Sequence, residues 1–118
     1  MEYKKDIKEW TLDFAVKMVK YSNELKRNKI DLDLISQVRR SGTSVGANVR
    51  EAKASSSRKE LTRFYEIALR SANETDYWID VINKGYDYNS KTQDSIQVEL
   101  SQLEKMLGKI IVNLKANN

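Results

Sequence analysis

Seven of the eight cations from residue 39 to residue 70 are candidates for one site: Arg39, Arg50, Lys53, Arg58, Lys59, Arg63 and Arg70. At 100° per residue, Arg39, Arg50 and Lys53 fall within about 60° of one another on one helix, and Lys59, Arg63, Glu66 and Arg70 step 4-3-4 along the next. With Arg58 they surround a serine turn, Ser55-Ser56-Ser57. Arg58 and Lys59 open a helix, where positive charge opposes the macrodipole at a cost of about a few tenths of a kcal/mol. The chemistry open to such a group is charge neutralisation of phosphates. Its ordinary alternative is surface pairing with Glu51, Glu60 and Glu66, which contributes little.

A second series, Ser41, Ser44, Asn48 and Glu51, repeats with the same helical spacing beside an apolar seam. Polar side chains so near a core need hydrogen-bond partners, and Arg63, Arg70 or Glu74 are the expected sources. We read Ser41, Ser44, Asn48, Glu51 and Glu74 as a structural network that sets helix register rather than as a catalytic site. The chain has no histidine and no cysteine. That removes the usual general base, the usual zinc ligand, the thiol nucleophile and any disulfide, and no metal or other cofactor is expected. The Glu-x-x-His pairs of di-iron helical proteins are impossible here. A non-enzymatic protein is the expectation.

The segment GTSVG does not make a phosphate loop, because Gly42 and Gly46 enclose three residues rather than four and are followed by Ala47 instead of Lys and Ser/Thr. Nor is it a membrane-dimer motif without an apolar 20-mer around it. Close helix packing explains it, with Phe64 and Trp78 as the expected occupants of the space left by the small residues 42, 46 and 47.

The elements that position these residues are read from four seams. Ile7, Trp10, Phe14, Met18, Tyr21 and Leu25 form the first, on a helix over about 5–27. Ile35, Val38, Gly42, Val45, Val49 and Ala52 form the second, over 34–54. Ser57 and Glu60 make a capping box that starts the third helix, 58–85, with seam Leu61, Phe64, Ala68, Ser71, Thr75, Trp78 and Ile82. Ile96, Leu100, Leu103, Leu107, Ile110 and Leu114 mark the fourth, 92–115. Short connections favour antiparallel neighbours, so the expected fold is all-α, a single up-down-up-down four-helix bundle over residues 1–118. Leu12, Val16, Val19, Tyr65, Leu69, Ile79, Met106 and Ile111 lie outside the seams, and the surplus on helices one and three predicts a self-association surface.

The 118 residues carry 21 Lys+Arg against 17 Asp+Glu. The charge is uneven: residues 1–70 sum to +6 and the remainder to −2. A pI of about 9.2 is compatible with a nucleic-acid partner. No stretch approaches a bilayer span and MEYKKDIKEW lacks the features of a signal peptide, so a cytoplasmic protein with no membrane partner is expected.

Gln37, Arg40, Ser41, Ser44, Ala47, Asn48 and Glu51 in SQVRRSGTSVGANVREA, together with Ser57, Lys59, Glu60, Phe64, Ala68 and Glu74 in SSRKELTRFYEIALRSANETDYWI, resemble the four-helix-bundle family of 23S rRNA intervening-sequence proteins, also called S23 ribosomal proteins. The resemblance covers nearly the whole chain. It departs where Arg50 and Lys53 flank Glu51, positions at which members more often have alanine and glycine, and in the serine-rich turn. It implies a ring-shaped homo-oligomer, a homopentamer. Some relatives are encoded within insertions in bacterial 23S rRNA genes, and a distantly similar accessory protein of diversity-generating retroelements binds nucleic acid and a reverse transcriptase. The partners implied are further copies of the chain and RNA or DNA, RNA being favoured. The alternative is a scaffold or accessory subunit whose partner is another protein.

Overall fold

The computed structural model describes residues 6–116. These residues form four helices and no strand: α1 (Ile7–Arg27), α2 (Leu32–Ala54), α3 (Arg58–Tyr86) and α4 (Lys91–Ala116). Each start has a polar side chain that accepts from an otherwise unpaired backbone N–H, as short oxygen-bearing residues do at helix entry. Asp6 accepts from Glu9 N at 2.8 Å, Asp31 from Asp33 N at 2.9 Å, Ser57 from Glu60 N at 3.1 Å and Ser90 from Gln93 N at 3.1 Å. Asp31 is why α2 opens ahead of the expected residue 34. In the Ser57 box the return bond goes one residue further back, from Ser56 N to Glu60 Oε1 at 3.3 Å. α3 continues past Gly85 and ends at Asp87, whose φ of 51° turns the chain out of the helix.

The core runs the length of the molecule. Phe14, Met18, Tyr21 and Leu25 of α1 meet Val38, Val45 and Val49 of α2, Ala68, Ala72, Ile79 and Ile82 of α3, and Ile96, Leu100, Leu103 and Leu107 of α4, all wholly buried. Each large aliphatic side chain among them contributes about 1.5–3 kcal/mol by leaving water. The long axis of 47 Å matches α3, whose 29 residues span about 43 Å at 1.5 Å each.

Two expectations about α3 are corrected. Its inward seam is Thr62, Tyr65, Ala68, Ala72, Thr75, Ile79 and Ile82, while Phe64 and Trp78 are half-buried at the rim. The apolar residues come in adjacent pairs, Phe64-Tyr65 and Trp78-Ile79, so a 3-4 series passes through either member. α4 repeats the ambiguity with Ile110-Ile111, of which Ile111 is the buried one. The small residues of α2 also face α1 rather than Phe64 and Trp78. A Cβ on Gly42 would lie 2.6 Å from Met18 Cγ, and one on Gly46 would lie 2.9 Å from the Thr11 carbonyl oxygen. Against α3, by contrast, α2 presents Ser44 to Ser71 and Ser41 to Thr75, short hydroxyls that bring the two helices close.

The apolar surplus divides accordingly. Tyr65, Ile79 and Ile111 belong to the core and Leu69 packs against it, whereas Leu12, Val16 and Met106 stay exposed. Of the apolar surplus, the part on α3 is thereby largely taken into the core, whereas Leu12 and Val16 of α1 stay at the surface. Among the described residues no helix is long and apolar enough to cross a membrane.

Hydrogen bonds knit one end of the molecule. Tyr88 O–H and Ser90 O–H both donate to Glu24 Oε2, the latter at 2.7 Å, and Asp31 N donates to Tyr86 Oη at 3.0 Å. Burial pulls Glu24 upward, but hydrogen bonds from Tyr88, Ser90 and Thr92 and the charge of Arg27 outweigh it and hold the carboxyl below its ordinary value. Tyr21 O–H donates to Gln93 Oε1 at 2.6 Å, and burial, with Glu24 and Tyr88 nearby, raises the phenol well above its usual range. At the opposite end Ile7 of α1, Ala52 of α2, Tyr65 of α3 and Ile110 and Leu114 of α4 border one depression.

Candidate nucleic-acid interface

That depression holds about 630 Å³ and opens beside the serine turn, with Lys53, Ser55, Ser56, Ser57 and Arg58 on its wall. Lys53 closes α2 and Arg58 opens α3, so the cap that stops one helix and starts the next is what brings the two cations together. Arg58 has a structural use as well. Its guanidinium donates to the Leu114 carbonyl oxygen at 3.2 Å, near the end of α4, where the last carbonyls lack partners and the dipole is negative. The misplaced charge at the head of α3 is thus offset by the tail of α4.

The other sequence-derived cations are distributed over the surface. Arg50 lines a narrow groove of about 270 Å³ between α1 and α2, with Lys8, Leu12, Gly46, Ala47 and Glu51. Arg39 lies nearer the opposite end, in a recess of about 390 Å³ with Lys26, Leu32 and Arg40. Lys59, Arg63 and Arg70 are exposed along α3 and line none of these three. The groove and the recess add Lys8, Lys26 and Arg40 to the cations considered from the sequence. Lys8 and Lys26 belong to α1, and only helix packing carries them beside α2. Glu66, one of the expected neutralising acids, is paired elsewhere, with Lys115 of α4 at 2.7 Å.

The polar series of α2 meets α3, but with different partners from those expected. Ser71 O–H donates to Ser44 Oγ at 3.1 Å, Thr75 Oγ1 lies 3.0 Å from Ser41 Oγ and 2.7 Å from the Ser71 carbonyl oxygen, and Asn48 Nδ2 donates to the Ser44 carbonyl oxygen at 2.8 Å. Short hydroxyls reach across because the two backbones are close, whereas Arg63 and Arg70 point outward. Glu51 is exposed, and Glu74 accepts from the Trp78 indole at 3.1 Å on its own helix.

Two acidic contacts had no signal in the spacing because their members stand on different helices. Glu99 of α4 accepts from Trp10 Nε1 and Lys17 Nζ of α1, each at 2.9 Å. Asp76 of α3 and Glu104 of α4 are hydrogen-bonded carboxyls. Burial, the bond to Asp76 and its charge push Glu104 up to about 7, and burial with Asp80 nearby raises Asp76 as well. No group of three or more acidic side chains able to hold a metal occurs among the described residues.

Comparison with known proteins bears on what this surface serves. No curated protein matches the chain. A crystal structure of a protein of unknown function from the S23 ribosomal protein family of Bacteroides thetaiotaomicron VPI-5482 is similar at 34% identity, covering 90% of this chain and 98% of that one with a TM-score of 0.84. A profile for the 23S rRNA-intervening sequence protein matches residues 4–109. With nearly the whole chain matched by that profile and the same helical fold in the Bacteroides protein, the chain belongs to the 23S rRNA-intervening sequence protein family.

Proposed function

We propose that this chain is a non-enzymatic, oligomeric nucleic-acid-binding protein, with RNA as its favoured partner. The observation that carries the proposal is the serine-turn end: Lys53 and Arg58 share an open depression, exposed Lys59 follows on α3, and Arg50 lies in the adjoining groove. No ion pair engages any of these four among the described residues. Contacts of this kind read the phosphate backbone and carry no base specificity. The helices run up-down-up-down, supported by the side-chain contacts at the two ends, and a ring of five protomers repeats the basic end around its axis. Repetition multiplies weak phosphate contacts into useful avidity. The protein works in the cytoplasm, without cofactor or membrane.

The test is fluorescence anisotropy of a labelled structured RNA, with duplex DNA as competitor, at about 50 and 200 mM salt. Arg58 is left intact because of its bond to α4. Replacing Arg50, Lys53 and Lys59 with Gln lowers the slope of log affinity against log salt by about 2–3 per binding protomer, with helix content unchanged by circular dichroism. An unaltered slope removes these residues from the interface. Absence of RNA and DNA binding by the parent chain overturns the proposal in favour of a protein scaffold.

A further inference from the structure

The outward side of α3 carries a series that the serine-turn cations begin and do not complete. Arg63, Arg70, Tyr77 and Lys84 follow at seven-residue intervals, with Lys59 one turn ahead of Arg63. Each interval advances about 10.5 Å along the axis and drifts about 20° around it, so the five share one face. All five are exposed. Lys59, Arg63, Arg70 and Lys84 take part in no ion pair among the described residues. Of the acids near the row, Glu66 is paired with Lys115, while Glu60, Glu74 and Asp80 accept from Ser56 N, the Trp78 indole and Gln97.

Tyr77 is the odd member, a tyrosine 59% exposed within a row of cations. Its ring is nonetheless held. It meets Trp78 edge to face, with centroids 5.1 Å apart and planes at 69°. Trp78 is packed against the core on one side and tied through its N–H to Glu74 on the other. An aromatic ring with few rotamers, braced by a second ring and facing solvent, presents a flat apolar surface whose ordering cost is already met.

We propose that this face of α3 is a track for single-stranded nucleic acid, in which Tyr77 stacks on an unpaired base while Arg70, Arg63 and Lys59 on one side and Lys84 on the other contact phosphates. It rests on the nucleic-acid function proposed above and specifies its substrate class. Cations alone accept any phosphate backbone. An exposed ring adds affinity only for a base whose face is free, which paired bases in a helix do not offer.

Binding of a fluorescein-labelled oligouridine of about 20 nucleotides is compared with that of the same strand paired to oligoadenine, by anisotropy. Tyr77→Ala weakens the single strand about ten-fold and leaves the duplex unchanged. Tyr77→Phe keeps parental affinity, and Tyr77→Leu, which retains apolar bulk without an aromatic face, behaves as the Ala variant. Equal single-strand binding by parent and Tyr77→Ala overturns the track while the proposed function stands. So does equal loss for both probes, or a change in oligomeric mass on Tyr77→Ala, which assigns the ring to a subunit contact. A parent that binds neither probe at low salt overturns both proposals together.

Discussion

At Gly46 the α1 backbone passes so near that an added Cβ would sit 2.9 Å from the Thr11 carbonyl oxygen and 3.1 Å from its carbon. Backbone cannot rotate away as a side-chain tip can. Gly46→Ala gains about 1 kcal/mol of helical propensity but must part the two helices, an overpacking cost of about 1–3 kcal/mol. The expected net loss is about 1 kcal/mol, a fall in Tm of about 5 °C. Gly108 of α4 is the contrasting case, with nothing within 4 Å of a built Cβ. There Ala brings only the propensity gain, about 0.5–1 kcal/mol, and raises Tm. Thermal melts followed by circular dichroism check both, and a Gly46→Ala variant that melts at or above the parent would refute the close-approach account. The Gly42–Gly46 spacing marked Gly46 for close helix packing, but that α1 is the helix that approaches, and that none approaches Gly108, only the fold decides.

Between elements, the α3–α4 seam is where pH acts. Glu104 binds its proton more tightly in the folded chain than the ordinary carboxyl value of 4.5, being pushed up to about 7 by burial and by Asp76. Asp80 adds repulsion on Asp76, and Gln97 donates a hydrogen bond to Asp76 and one to Asp80. The folded state therefore holds more protons than the unfolded state between about pH 4.5 and 7, and stability contributed by this pair falls as pH rises through that window. Partial exposure screens the effect. Glu104→Gln keeps a donor toward Asp76 and abolishes the charge. It should raise Tm by about 2–4 °C at pH 8, with the gain vanishing by pH 5. Equal gains at the two pH values would show that packing, not ionisation, is responsible. Glu24 at the knitted end has the opposite sign: held below its ordinary value, it contributes stability that is lost as the solution is acidified.

At the scale of the whole molecule, α1 leaves Leu12 and Val16, one turn apart and 48% exposed each, beside the α1–α2 groove. We place the contact between protomers of the proposed ring there. The parent should have a light-scattering mass of about five times the 13.7 kDa chain. Leu12→Asp with Val16→Asp should reduce it to the monomer with helix content intact, because both side chains lie outside the core. A monomeric parent would remove the ring and with it the avidity on which the basic end relies. The aspartates should weaken RNA binding both through lost multivalency and through the new carboxylate at position 12 beside Arg50 in the shared groove, whereas Val16→Asp alone, outside that groove's lining, isolates the loss of multivalency.

What could be read in the chain was what is periodic along it. The seams of α1 and α2 contain one apolar series each, and those residues are the ones buried; Ser57 and Glu60 marked the start of α3; the cations from Arg39 to Arg70 were visible as a group. Helical repeats and caps are local, so sequence alone determined four helices and which residue types could meet phosphate. Tertiary packing decided the rest. It chose Tyr65 and Ile79 over Phe64 and Trp78 where neighbouring apolar residues offered two registers about 100° apart, because α2 and α3 approach on small side chains and hydroxyls. It also sorted the cations, placing Lys53 with Arg58 at one end and Arg39 near the other, and aligned Arg63, Arg70, Tyr77 and Lys84 toward solvent. The direction a helix turns its faces is settled by what the other helices bring to it, and no spacing within one helix contains that information.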